Sequence, residues 1–422
     1  VIGRSAALPL HLTSATMLRV SAEGVATALV LTVEARTGNA ATAGYLQTAM
    51  TLPYVLSGPV IGDALDRVGR PRRAAVALAA CYAVATAALL LTAGRSPLAL
   101  ALLIAAVIGC TEPIVVALTS LLPRFVPAGR LSRAYGLEAS SYNLAGIAGP
   151  GLAAGVAALA GGEYAGTAVV AVGLLGLLTL PLLPFPGPSA GAAGALPAEA
   201  TAATGAAAVG AKAGPRAAGT LSVITGGLVV LAGGRVLRAL TVATTLAWMG
   251  FGGVAVTAVL LAEHIGGPPS AGGRLLVAMA VGSLIGSLAS SRWLTPKHAE
   301  PVMIAGLVAF GASLAALAVT PSLPWATAAF VAAGVSEGPV FAATLMLRQR
   351  ESPPDRLGQV NTTGGSLKIG ASALGAALTA AFADAVGPLG LVLGIAAFQF
   401  AGALAGLLLL RVPAGEKPAE DP

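Results

Sequence analysis

Apolar runs of about 20 residues, the length that crosses a bilayer core, recur along this chain, separated by short loops rich in Gly, Pro and charge. This pattern excludes a soluble fold. With 56% hydrophobic and only 10% charged residues among 422, the apolar surface cannot be hidden in one or two aqueous cores. The runs predict twelve membrane helices, at 12–33, 43–62, 73–93, 98–121, 134–160, 165–184, 237–262, 274–293, 301–319, 325–347, 361–384 and 387–410. The first is too long for a cleaved signal peptide and is followed by eleven more, so it is expected to stay.

The stretch GTLSVITGGLVVLAGG at 219–234 is short, glycine-rich and followed by Arg235 and Arg238, and reads as a lead-in helix lying at the membrane interface. Residues 188–220 are Ala/Gly-rich and of low complexity, as in a mobile linker. Three regions result: a first six-helix bundle over 1–186, a linker with its interfacial segment over 187–235, and a second bundle over 236–422. Basic residues concentrate in alternate loops, including Arg67, Arg70, Arg72, Arg73, Arg124, Arg130, Arg133, Arg348, Arg350 and Arg356. By the positive-inside rule those loops, and both termini, are expected on the cytoplasmic side. The net charge of +7 is then a topology signal and implies no nucleic-acid partner. Cys81 and Cys110 fall inside apolar runs and imply neither a disulfide framework nor a metal site.

The two halves repeat. SGPVIG at 57–62 aligns with VGSLIG at 281–286, each holding a Gly-x-x-x-Gly pair (Gly58 with Gly62, Gly282 with Gly286). GCTE at 109–112 aligns with GVSE at 334–337, and Gly149 with Gly375, at nearly the same offset. Two pseudo-symmetric six-helix halves related by duplication are expected, with a midplane site between them.

The loop between the second and third runs reads GDALDRVGRPRR. It resembles the loop signature of the major facilitator superfamily, Gly-x-Leu-Ala-Asp-Arg-x-Gly-Arg-Lys. Gly62, Asp66, Arg67, Gly69 and Arg70 match in place, Leu65 stands one position late, and Pro71 replaces the lysine. The fifth run resembles the motif of that superfamily's drug/proton antiporters through Gly136, Gly149 and Pro150, with Ala145, Ala153 and Ala154 standing for glycines. The arginine that the family carries in the fourth run is here Ala105. The resemblance implies twelve helices, a cytoplasmic gate built on the loop signature, and a central cavity lined by the first, fourth, seventh and tenth spans. At that gate, Asp66 is expected near the N-terminus of the eleventh span, around Thr363 to Gly365, flanked by Arg70.

Charges inside a membrane helix cost about 2.5–3.5 kcal/mol even on the lenient insertion scale, so they face a cavity or a partner. Arg19 and Glu23 lie one turn apart on the first run and can pair as i and i+4. Glu112 and Glu337 are the repeat-related pair. All four lie on spans that the resemblance assigns to the cavity, and a carboxylate desolvated there is a candidate proton carrier. The competing readings are a structural ion pair for Arg19 and Glu23, and satisfaction of backbone groups near Pro113 and Pro339 for Glu112 and Glu337. Lys368 is expected to snorkel to the cytoplasmic side, and Glu138 to join an inner gate or a surface salt bridge with Arg133. Tyr54, Asn143 and Trp248 are the substrate-cavity candidates, with Gln399 beside them.

The sequence GVSEG at 334–338 fits the nucleophile-elbow pattern, but that motif works only as a strand-to-helix turn, and this copy lies in an apolar helix. A membrane-bound sensor would generally need an output domain. The expectation is a secondary active transporter in the plasma (inner) membrane, working as a monomer without cofactor, that couples efflux of a small organic molecule to protons. Proton-coupled uptake is the alternative, and the direction rests on the fifth-span motif.

Overall fold

The computed structural model describes residues 6–38, 41–183, 220–268, 270–319 and 322–411, all-helical with no strand among them. The helices, in chain order, are α1 (Ala7–Thr37), α2 (Ala41–Arg67), α3 (Pro71–Thr92), α4 (Leu98–Thr111), α5 (Ile114–Ala117), α6 (Leu131–Ala160), α7 (Ala165–Thr179), α8 (Thr220–Gly233), α9 (Arg235–Phe251), α10 (Val254–His264), α11 (Ser270–Trp293), α12 (Ala299–Ala315), α13 (Leu323–Glu351) and α14 (Leu357–Arg411). Their boundaries follow local chemistry. Pro71 opens α3, where its missing N–H costs nothing. Gly38 closes α1 in the left-handed region at φ 66°, with its N–H on the Glu34 carbonyl.

Among the described residues, nine helices are long and apolar enough to cross a membrane, or ten if the bent pair α8 and α9 counts as one span. Three features separate this from the expected twelve. The run at 237–262 is not one helix but α9 and α10, broken at Gly252 and Gly253. The second span, α2, carries Pro53 and Pro59 and is not among the nine. The last two spans form the single element α14, which breaks at Gly387 (φ 66°, ψ 175°), a conformation open essentially to glycine alone. Beyond that break the chain runs back along α9, with Ile395 against Gly250 and Gly402 against Ala243, so α14 is a reversal.

The linker residues 187–219 lie outside the described residues. The segment after them, α8, turns by 106° into α9 and packs across α14 and α2. Many of the large apolar side chains point outward, Leu52, Leu91, Leu103, Leu178, Leu288 and Leu404 among them, as a lipid-facing surface requires.

The duplicated glycines do matching work in the two halves. A Cβ on Gly109 would strike the Met50 carbonyl, and one on Gly334 would strike the Met279 carbonyl. Gly149 backs onto the Val20 carbonyl of α1 as Gly375 backs onto the Met249 carbonyl of α9. The Gly-x-x-x-Gly pairs differ. Gly58 and Gly62 admit α14 from the opposite half, whereas Gly282 and Gly286 admit α13 of their own half.

Core packing shows how the halves meet. One apolar cluster, near the loop between α2 and α3, is shared: Leu122, Tyr135 and Ala139 of the first half pack with Leu237, Leu240 and Val360 of the second. Toward the opposite end each half closes on itself, one around Leu29, Leu46 and Leu89, the other around Leu261, Phe310 and Phe330. The halves therefore join at the loop end and have separate cores at the far end.

Candidate functional site

At the loop end, Asp66 accepts hydrogen bonds from the backbone N–H groups of Gly358 (3.0 Å) and Gln359 (2.9 Å). These are the first-turn donors of α14, left open by helix geometry, so Asp66 caps a helix of the other half. The expected position at the start of the eleventh span holds, but the register is corrected from Thr363–Gly365 to Gly358–Gln359, because the helix begins at Leu357. Gly62 is explained by contact: a Cβ there would collide with Thr362 and the Gly358 carbonyl. Arg67 pairs with Asp63 at 2.7 Å, Arg70 is exposed at the start of α3, and Gly69 lies in open space. Gln359 also donates its side-chain amide to the Val223 carbonyl at 2.7 Å, tying α8 to the residue that receives Asp66.

The second junction joins α6 and α11. Gly136 lies so close to Ser291 that a Cβ would overlap its backbone. Pro150 sits inside the continuous helix α6. Asn143 spends both amide protons on α11, on the Ser283 carbonyl (3.1 Å) and the Ser287 hydroxyl (3.2 Å). It thus ties α6 to α11 at this junction.

The first-half charges pair differently from expectation. Arg19, 2% exposed, does not pair with Glu23. Its guanidinium donates to Glu138 at 2.5 Å and to Ser141, and lies 3.6 Å from the centroid of the Tyr142 ring. Glu138 is fully buried and also accepts from Thr119 (2.8 Å), with the His11 ring 3.2 Å away. This corrects two expectations: Glu138 belongs to no surface bridge with Arg133, and Arg19 does not pair with Glu23. A guanidinium deep in a bundle needs a carboxylate and further acceptors to offset its lost hydration, and α6 supplies both where α1 cannot.

Glu23 is thereby left on an exposed face of α1, and it and Glu112 lie close enough for their charges to interact, with the buried Tyr54 beside them. No ion pair engages either carboxylate among the described residues. The repeat-related glutamates sit differently. Glu112 stands at the break between α4 and Pro113, whereas Glu337 lies within the unbroken α13 and accepts from Ser283. Ser336 of the GVSEG stretch lies in that same helix and returns its hydroxyl to the Ala332 carbonyl at 2.9 Å, so no elbow exists there.

The second half holds a cavity lined by Trp248, Phe251, Phe310, Glu337, Lys368 and Gln399, among others. Lys368 does not snorkel. It is 5% exposed, with its Nζ 5.2 Å from the Trp248 ring centroid and 5.1 Å from that of Phe341. Phe341 in turn meets Tyr142 edge-on at 5.1 Å, so a line of contacts runs from Arg19 through Tyr142 and Phe341 to Lys368 across the two halves. Trp248 lines this cavity, and Gln399 lines it too while donating to the Ala247 carbonyl at 2.8 Å. Sequence reasoning missed Lys368 as a cavity residue. Its available signal was position, since eleven residues into α14 it lies about 17 Å from the helix start, too deep for its stem to reach the surface.

A model of the Major Facilitator Superfamily matches residues 12–239 and 240–422. An uncharacterised MFS-type transporter, y4rN, of Sinorhizobium fredii is 26% identical over 379 residues, covering 87% of this chain and 86% of the relative. Among solved structures, the human organic anion transporter MFSD10 superposes with a TM-score of 0.73 at 16% identity, covering 96% of this chain and 100% of that one. A bacterial homologue of the iron transporter ferroportin, in an outward-facing state, gives 0.68 at 15%, covering 96% and 98%. The E. coli fucose:proton symporter gives 0.71 at 13%, covering 95% and 98%. At these identities the structural likeness shows the fold alone.

Proposed function

The chain belongs to the Major Facilitator Superfamily, and from that membership we propose that it is a proton-coupled exporter of small organic molecules working by alternating access. The observation that carries the reading is the asymmetry of the two halves: a shared core and a two-bond cap at the loop end, separate cores at the far end. With the basic loops cytoplasmic, this is an outward-open state of a plasma-membrane protein. Twelve spans follow if α14 counts as two, α9 with α10 as one, and α2 as one. The latch of Asp66 on α14 then has to break for the cavity to open inward.

Coupling is assigned to Glu23 and Glu112. Two neighbouring carboxylates that no ion pair engages among the described residues repel, and one bound proton relieves that repulsion. Closure of the far end would remove water from the pair and favour the loaded form, while inward opening would restore water and release the proton. Arg19 plays no part in this cycle, because Glu138 holds it. Glu337, tied through Ser283 to the α6–α11 junction, connects the second-half cavity to the surface on which the halves move. Export in exchange for protons follows the likeness of Gly136, Gly149 and Pro150 to the antiporter motif. Uptake is the competing direction.

The test is transport in proteoliposomes under imposed pH gradients of either sign, across a panel of drugs, sugars and metabolites. Glu23→Gln is expected to keep substrate exchange without a gradient and to lose uphill transport and its pH dependence. Uphill transport at the normal rate in that variant would show Glu23 to be structural and move the role to Glu112 or Glu337.

A further inference from the structure

The buried charges of the two halves do not balance alike. In the first half, Arg19 and Glu138 neutralise each other, leaving Glu23 and Glu112. In the second, Lys368 and Arg348 are both buried, at 5% and 3% exposure, and neither is in an ion pair among the described residues. Arg348 lies beneath α14, wedged against Gly364, with its Nη1 on the Asn361 carbonyl at 3.5 Å. Glu337 is the one carboxylate that both lines the cavity and acts electrostatically on Lys368, and it is already engaged by the Ser283 hydroxyl. Arg348 is not among the residues that line the cavity, so its wall carries one cation, Lys368, which no ion pair engages among the described residues, and one carboxylate, Glu337, which Ser283 already engages. An unpaired buried charge is expensive, and a ligand of opposite sign removes the expense.

The other cavity walls narrow the ligand further. Thr244 and Thr344 return their hydroxyl protons to the Leu240 and Val340 carbonyls of their own helices, at 2.8 and 2.9 Å, and Gln399 donates to Ala247. That leaves the Lys368 ammonium as the strong donor facing the space, beside the rings of Trp248, Phe251 and Phe310. We propose that this cavity is the substrate site and that its ligand is a small organic monoanion with a planar apolar body, its acid group on Lys368 and its body against Trp248, Phe251 and Phe310. This rests on the transport reading above and adds the substrate class. It also separates the two ligands of the cycle, since the anion sits in the second half and the proton in the first.

Binding is read at equilibrium on the purified full chain in detergent, so it does not depend on transport. The chain has three tryptophans, and Trp293 and Trp325 are half-exposed at helix ends, so Trp293→Phe with Trp325→Phe leaves the emission of Trp248 as the reporter. The probes are benzoate, phenylacetate, indole-3-acetate and naphthalene-1-sulfonate, each against its neutral alcohol or cationic amine counterpart. At least one acid is expected to change Trp248 emission saturably, and to bind about tenfold or more tighter than its neutral and cationic counterparts. Lys368→Met is expected to abolish that preference, and Lys368→Arg to keep part of it. Acids that bind no better than their alcohols, amines that bind better than acids, or a preference unchanged in Lys368→Met would each overturn the proposal; the first two need no variant. If an acid binds through Lys368 but no proton gradient moves it, the site stands and the transport reading fails.

Discussion

Replacing Asp66 by Asn changes one atom of the side chain and tests the loop-end cap directly. The carboxylate accepts from Gly358 N–H at 3.0 Å and from Gln359 N–H at 2.9 Å. An amide keeps one acceptor, turns an N–H₂ donor toward the second backbone N–H, and loses the charge at the helix N-terminus. A hydrogen bond to a charged group contributes about 1.5–3 kcal/mol, and a charge at a helix terminus about 0.3–1 kcal/mol. The cap is therefore weakened by about 2–4 kcal/mol, and with about 1.4 kcal/mol per factor of ten the closed state loses population by about 30-fold to several hundred-fold. Two exposed positions at the far end, Thr48 on α2 and Arg274 on α11, report the change when replaced by spin-labelled cysteines. Cys81 and Cys110 are exposed and have to be removed first. The prediction is one long distance in the parent protein and an added shorter population in Asp66→Asn, with normal membrane insertion and reduced transport. An unchanged distance distribution together with parental turnover would refute the capping argument.

Two further outcomes follow from close packing and buried charge. Glu138→Gln leaves the Arg19 guanidinium buried without a counter-charge and is expected to destabilise the first half by about 3–5 kcal/mol. A thermal melt in detergent should then show Arg19→Met with Glu138→Gln recovering much of that loss, and a double variant no better than the single one would remove the ion pair from the account. Gly109→Val and Gly334→Val each push a side chain into a backbone carbonyl, of Met50 and Met279 respectively. Both are expected to lower the yield of folded protein severely, by size-exclusion recovery, whereas Gly146→Val, at a position with open space, is expected to behave as the parent.

The sequence alone determined that this is a helical membrane protein, where most of its spans lie, and that its halves carry glycines at a nearly fixed offset; the meeting of the Asp66 loop with a helix start of the other half followed from that loop's family resemblance. These features are legible because they are local or periodic. A bilayer-length apolar run, a glycine at a fixed offset and a loop motif each carry their meaning within a few residues. The split of the seventh span at Gly252–Gly253 and the reversal at Gly387 were harder to read, since glycine is common in this chain and only backbone geometry tells a break from a packing contact. The charge pairing was decided only by tertiary structure. From sequence, the one partner of Arg19 with known geometry was Glu23, one turn away. The fold instead sets Arg19 against Glu138, 119 residues on, because the rotation of α1 turns that face to α6. Lys368 likewise passes from a surface anchor to a cavity wall through the placement of Trp248 and Phe341 on two other helices. Neighbours along a helix are fixed by its 3.6-residue turn, whereas neighbours across helices depend on which helix packs next and how it is rotated, and a single sequence encodes that only through the packing of the whole.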